Sequence, residues 1–402
     1  MAEKVVITAT GLISCIGSGK ESHLNAFRER QSGVHYARHL RSKHIKTLLL
    51  GEVDRSNDEL AVALGLPAGD NGYTRTSLLS MTAVGELLSG VDIALLKNER
   101  FAFINANTVG GMGKMEQLYI DLISDHTAPE VLKYIPTFDC SQSTEVTARH
   151  FGLEPFMATI STACSSSASA LMMGARMIKQ GIVRRAVCGG CDALSAFTVN
   201  GFYSLKNVDK SLSRPFDQNR NGLNIGEAAG YCLLESEAAA KERGAYVIAE
   251  FTGYANTNDA YHSTAPAPDG SGAHATMAKA LAMAGLAPGE VAYINAHGTA
   301  TQNNDLAEGR AIERLFGGKV PFSSTKPFTG HTLAAAGVIE AIFSLWAMEE
   351  GLIIPNLNFE TRMEELAVSP ATILLENQTL NHVLSNSFGF GGSNVSLVFS
   401  KP

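Results

Sequence analysis

Cys164 stands in the run Ile160-Ser161-Thr162-Ala163-Cys164-Ser165-Ser166-Ser167. The residues before it, Phe156 to Thr162, read as a short buried strand, and Ser165 to Gln180 reads as a helix stopped by Gly181. A cysteine at such a turn meets free backbone N–H groups and the positive end of a helix dipole, which favour a thiolate. A thiolate is both a nucleophile and an acyl carrier. A small buried core residue would fit the same segment. His297 lies in Asn295-Ala296-His297-Gly298-Thr299-Ala300-Thr301, at the end of the strand-like run Val291–Asn295, with Asp305 and Glu308 on the following helix. Ligand sites of open α/β folds gather at such strand ends, although a structural histidine fits there equally well.

A third group is Ser324-Thr325-Lys326-Pro327-Phe328-Thr329-Gly330-His331, followed by the small-residue run Leu333-Ala334-Ala335-Ala336-Gly337. Glu340 is placed to face back toward the start of that helix, so a Lys326–Glu340 pair could orient His331, while the small residues would equally serve close helix packing alone. Pro327 should block helix through Thr325-Lys326, because proline disfavours α geometry in the residue before it. The fourth group, Asn386-Ser387-Phe388-Gly389-Phe390-Gly391-Gly392-Ser393-Asn394, interleaves two phenylalanines with glycines. It reads as a mobile aromatic turn that gates a pocket and offers N–H groups to an oxyanion, or as an ordinary glycine-rich hairpin. In a fifth group, Arg214, Asp217, Arg220 and Glu227 are expected to brace a loop through buried Arg–Asp and Arg–Glu pairs.

The elements that must position these groups alternate. Candidate strands are Lys4–Thr10, Phe101–Ala106, Met157–Thr162, Arg185–Gly189, Gly230–Leu234, Tyr246–Gly253, Val291–Asn295, Val320–Ser324 and Val395–Ser400. Candidate helices are Thr76–Leu88, Ser165–Gln180, Ala273–Ala284, Asn304–Leu315 and Leu333–Glu349. Such alternation argues α/β architecture with buried sheets. Lys4–Ile13 and Tyr246–Ala255 both read strand, Thr-Gly, turn, and Ser161-Thr162 is echoed by Ser324-Thr325. Two related halves meeting near Lys241–Ala245 would explain this; so would two similar βα units arising by chance.

The 402 residues are long enough for a large core, and 45% hydrophobic with 18% charged residues suits a compact chain. A net charge of -7 offers no general attraction for nucleic acid or an anionic membrane. No apolar stretch reaches spanning length, and Met1-Ala2-Glu3-Lys4 is unlike a secretory signal, so the cytoplasm is expected. The six cysteines are scattered. Cys188-Gly189-Gly190-Cys191 has metal-pair spacing but lacks a second pair, and Gly17-Ser18-Gly19-Lys20 lacks the Ser/Thr a phosphate loop needs.

In this order, a strand-end cysteine, two strand-end histidines, a lysine and a glycine-aromatic turn resemble the β-ketoacyl-acyl carrier protein synthases of the thiolase superfamily. The elongating, synthase II-like type is the nearest, and the resemblance runs from Val5 to the C-terminus, including the entrance loop Asp259–Pro266. It implies a thiolase-like fold: two pseudo-repeated βαβαβαββ halves, 1–243 with Cys164 and 244–402 with His297, Lys326 and His331, in a five-layered α-β-α-β-α core.

The resemblance also implies roles. Cys164 would carry an acyl group, and His297 and His331 would stabilise the enolate formed when malonyl-carrier protein loses CO2. Lys326, with Glu340, would support His331. The backbone of Cys164 and Phe390 would form an oxyanion hole, and Phe390, backed by Phe388, would gate the acyl pocket. Thr299 and Thr301 would contact the phosphopantetheine arm of acyl carrier protein. Val109 would reach into a partner's acyl pocket, implying a homodimer or a heterodimer with a related subunit. No metal or redox cofactor is implied. Lys206 stands where the family has a docking arginine, and Lys133 and Lys210 are further docking candidates. Departures such as Asn221, Leu223, Ala228 and Pro327 suggest a specialised polyene or polyketide branch rather than the housekeeping enzyme, with a non-condensing, chain-length-setting partner subunit of the same fold as the other reading.

Overall fold

The computed structural model describes residues 3–124 and 129–402. Ten strands carry the fold: β1 Val5–Ser14, β2 Ala102–Ala106, β3 Phe156–Ile160, β4 Arg185–Asp192, β5 Ala228–Ser236, β6 Ala249–Asn258, β7 Tyr293–Asn295, β8 Phe322–Ser323, β9 His382–Gly389 and β10 Ser393–Ser400. The first five lie in the order β3-β2-β4-β5-β1 and the second five in the order β8-β7-β9-β10-β6. Each set pairs its first two neighbours in parallel and the rest antiparallel. The sets meet where Val6 and Ile7 of β1 face Glu250 and Ala249 of β6.

Five helices complete the layers: α1 Arg75–Ser89, α2 Ser166–Lys179, α3 Ser271–Ala284, α4 Gln302–Phe316 and α5 Ala336–Glu350. α1 covers β1 and β5 on one outside, and α3 with α4 covers the other. Between the sheets α2 packs on α5. Every residue of α5 from Ala336 to Met348 is buried. Its sequence there is apolar all round except for Glu340 and Ser344, the pattern of a helix with no solvent face. The result is the five-layered, thiolase-like α/β core.

The Thr-Gly pairs behave differently from the expected turns. Both strands run on, to Ser14 and to Asn258. A Cβ on Gly11 would lie 2.1 Å from the Ala83 carbonyl of α1, and one on Gly253 would lie 2.3 Å from the Ala280 carbonyl of α3. Glycine is needed there for close helix–sheet approach, at matching places in the two sets.

Other expectations are corrected. β3 is an edge strand rather than a buried one, with Phe156 43% and Met157 44% exposed. Asn386–Gly389 belongs to β9, between β7 and β10, so only Phe390–Gly392 forms the turn. Lys326–Thr329 is one helical turn despite Pro327. In a first turn the N–H that proline lacks has no intrahelical partner to lose. Cys188 and Cys191 are buried free thiols of β4, and Lys20 pairs with Glu349 and Glu350.

Candidate active site

Cys164 sits in the turn from β3 to α2. Ala163 turns the chain in the left-handed region at φ 52°, a conformation that costs a residue with a Cβ about 1–2 kcal/mol. Serine side chains brace the turn: the Thr162 N–H donates to Ser166 Oγ at 2.8 Å, and Ser165 Oγ donates to the Thr162 carbonyl at 2.8 Å. Gly389 lies so close that a Cβ there would be 3.2 Å from the Cys164 nitrogen. That approach places the Phe390 N–H near enough to the Cys164 sulfur to favour its thiolate.

The expectation that this turn favours a thiolate is overturned. Burial pushes the Cys164 thiol up to about 11, and the Lys326 charge and the Phe390 N–H offset only part of that. The thiol is therefore protonated near neutrality. Alkylation of Cys164, followed by mass spectrometry of its peptide, should accelerate about tenfold per pH unit toward pH 11, because only the thiolate reacts. A plateau near pH 8 would contradict this.

His297 follows β7. Glu308 of α4 accepts from the N–H groups of His297 (2.9 Å) and Gly298 (2.8 Å), and Asp305 accepts from Thr299 (2.9 Å) and Phe216 (2.7 Å). Two buried carboxylates on one helix thus shape the loop that carries His297, Thr299 and Thr301. Burial holds Glu308 up at about 7.

Lys326 is buried and pairs with Glu340. Its ammonium lies 3.2 Å from Nδ1 of His297 and also donates to the His297 carbonyl. The pair therefore orients His297, where the sequence pointed to His331; its charge still acts on both rings. An ammonium can only donate, so His297 Nδ1 accepts and Nε2 carries the hydrogen. His331 reaches the same tautomer by another route: the Leu333 N–H donates to its Nδ1 at 3.2 Å. Burial, then the Lys326 charge, holds both imidazoles well below the usual histidine range. The rings stand edge to face, 5.4 Å apart.

Cys164, His297 and His331 line one cavity of about 150 Å³ together with Thr299, Thr301, Phe388, Phe390 and Lys206. Phe388 flanks His297 at 5.9 Å between ring centroids. Phe390 stacks on Phe202 at 5.7 Å. Phe202, which sequence reasoning passed over, gives no local signal, since it lies in a helix far along the chain from both motifs. The turn after Phe390 is tied to the Asp259–Pro266 loop: Gly391 N–H donates to the Ser263 carbonyl at 2.8 Å, and Asp259 N–H to that of Gly392 at 3.0 Å.

The remaining candidates divide. Lys206 is exposed at the cavity lining. Lys133 lies 2.7 Å from Asp70 and does not line the cavity. Val109 also lies outside it, half-buried in the loop after β2. The expected Arg–Asp and Arg–Glu braces take other partners. Glu227 pairs with Arg75, and Arg220 donates to the carbonyls of Asp217, Thr301 and Gln302. Among the described residues no cluster of three or more His, Cys, Asp or Glu is placed to hold a metal ion, and no helix is long and apolar enough to cross a membrane.

The profile described as "Beta-ketoacyl synthase, N-terminal domain" matches residues 2–240, and "Beta-ketoacyl synthase, C-terminal domain" matches 248–360. The chain belongs to the β-ketoacyl synthase family. It is 32% identical to the 3-oxoacyl-[acyl-carrier-protein] synthase 2 of Synechocystis sp., over 99% of this chain and 98% of that protein. Among solved structures, the ishigamide ketosynthase/chain length factor is similar with a TM-score of 0.91 and 28% identity, covering 100% of both chains. A ketosynthase in complex with its chain length factor from Xenorhabdus doucetiae is similar with a TM-score of 0.86 and 30% identity, over 100% of this chain and 98% of that one. This synthase is thus an acyltransferase of the ketosynthase type, whose reaction class is the condensation step of fatty acid synthesis.

Proposed function

We propose that the synthase performs a decarboxylating Claisen condensation between an acyl group on Cys164 and malonyl-acyl carrier protein, giving a β-ketoacyl-acyl carrier protein. The observation that carries the residue assignment is the pair of neutral imidazoles, both with Nδ1 occupied, lining the cavity of the Cys164 sulfur. In the first half-reaction the Cys164 thiol gives up its proton, the sulfur attacks the acyl thioester, an S–C bond forms, and the carrier thiolate leaves and takes up that proton. In the second, the bond from the malonyl α-carbon to its carboxylate breaks. CO2 departs, and the electron pair stays as an enolate on the thioester.

Two neutral Nε2–H donors stabilise that enolate without protonating it, as a more acidic imidazolium would. The enolate carbon then attacks the Cys164 thioester and expels the thiolate, which takes a proton from water to restore the thiol. The N–H groups of Cys164 and Phe390 meet the oxyanion of each attack, a role favoured by the nearness of the Phe390 N–H to the sulfur. Phe390 and Phe388 form the gate, with Thr299 and Thr301 along the carrier arm.

The partners are acyl carrier protein, met by Lys206 at the mouth, and a second synthase-fold subunit. A homodimer is the first choice and a heterodimer with a related subunit the second. The unpaired apolar edge of β3, with Phe156 and Met157 exposed, suits such a contact. The matching strand orders support a division into 1–243 and 244–402. The intact Cys164, His297 and His331 set favours a condensing subunit over a silent partner, and likeness to ketosynthase/chain length factor structures favours a polyene or polyketide branch. The site of action is the cytoplasm.

Incubation with acyl- and malonyl-acyl carrier protein tests this. Condensation releases CO2 and yields a β-keto thioester. A silent partner yields neither, and a thiol hydrolase yields free acid.

A further inference from the structure

Asp192 ends β4 and is fully buried. No cation pairs with it among the described residues; five hydrogen-bond donors converge on its carboxylate instead. Oδ1 accepts from Asn107 Nδ2 (2.9 Å), Thr108 N–H (3.0 Å) and Val109 N–H (3.2 Å). Oδ2 accepts from Thr108 Oγ1 (2.5 Å) and from the Ala334 N–H (2.9 Å). One jaw of this clamp is the loop after β2. The other is the turn that carries His331.

That turn needs an external hold. Leu333 sits in the left-handed region at φ 56°, which a residue with a Cβ adopts only when its surroundings impose it. The Leu333 N–H is also the donor that occupies His331 Nδ1. Asp192 grips the very next N–H, that of Ala334. We propose that Asp192 is a positioning residue for condensation: by anchoring Ala334 it holds Leu333 in its strained conformation, and so fixes the tautomer and aim of His331. The inference rests on the assignment of His331 to enolate stabilisation.

Asp192→Asn tests it selectively. The amide oxygen keeps its three donors only if the NH2 group takes the place of Oδ2. The NH2 then faces the Ala334 N–H, donor against donor, while the Thr108 hydroxyl can rotate to accept. The expected result is a decarboxylation rate lowered about tenfold to hundredfold, the effect of one buried N–H left without an acceptor. Acyl loading on Cys164, followed by mass spectrometry, should stay within about threefold. Ring 15N shifts of labelled His331 should move from a single Nε2–H tautomer toward a mixture.

Thr108→Val, which removes one hydrogen bond and leaves Ala334 gripped, should keep the wild-type tautomer; it serves as the folded comparison if the asparagine variant is unstable. Equal loss of loading and decarboxylation with an unchanged His331 spectrum would overturn the inference. So would a Thr108→Val protein that loses the tautomer. Wild-type protein that loads acyl groups without releasing CO2 from malonyl-carrier protein would instead overturn the assignment of His331.

Discussion

Cys164→Ala protein should carry no acyl adduct and make no β-keto thioester, a loss on the order of a thousandfold or more. Its release of CO2 from malonyl-acyl carrier protein should nevertheless survive. In the proposed reaction the cysteine supplies the sulfur that holds the first acyl chain, but the two histidines stabilise the enolate, and the hydrogen bonds that set them do not involve that sulfur. His297 is set by Lys326 and His331 by Leu333. Mass spectrometry of the intact protein reads the adduct, and labelled CO2 reads the other half-reaction. An adduct persisting on Cys164→Ala would move the nucleophile elsewhere. Joint loss of CO2 release in a folded variant would mean that the sulfur takes part in breaking the malonyl bond.

Lys326→Met should strongly destabilise the folded state. Glu340 is buried on α5, and its second oxygen already has no partner. Burial holds it up at about 7 even with the ammonium beside it. Removing one member of such a pair costs about 3–5 kcal/mol, because the carboxyl left behind must either stay charged in an apolar site or take up a proton and sit there without its partner. The same change frees Nδ1 of His297, so either nitrogen can carry the hydrogen and decarboxylation should fall. The double variant Lys326→Met/Glu340→Leu separates the two effects. An apolar pair should restore the urea midpoint toward wild type while decarboxylation stays low. If activity returned with stability, the pair would be a packing feature with no hold on His297.

Most of the reacting groups were legible as a linear pattern. Cys164, His297, Lys326 and His331 each sit where a strand hands over to a loop or helix, and that handover shows in composition. The central helix was legible as a helix over Leu333–Glu349, and the structure adds that it is buried from Ala336 to Met348. Long-range pairings were not legible. Arg214, Asp217, Arg220 and Glu227 are close along the chain, yet Glu227 takes Arg75 from α1. Side-chain length lets each charge reach past its sequence neighbours to whichever partner the fold brings up. Asn386–Gly389 was misjudged for a related reason: its glycine and polar residues look turn-like, but β7 and β10 supply hydrogen-bonding partners on both sides.

By itself, the sequence determined the α/β class, the four candidate side chains and their order, because strand-end placement and residue type are local properties. Only the tertiary structure decided their states. Burial, which no local pattern reports, keeps the Cys164 thiol protonated and both histidines neutral. Packing of the helical turn at Lys326 against His297 chose which ring the lysine orients. A carboxylate at the end of β4 and an N–H at position 334, separated by most of a half-chain, became one anchor because two sheets sandwich α2 and α5. Desolvation and hydrogen-bond partnership are set by what surrounds a group in three dimensions, and those surroundings come from both halves of the chain.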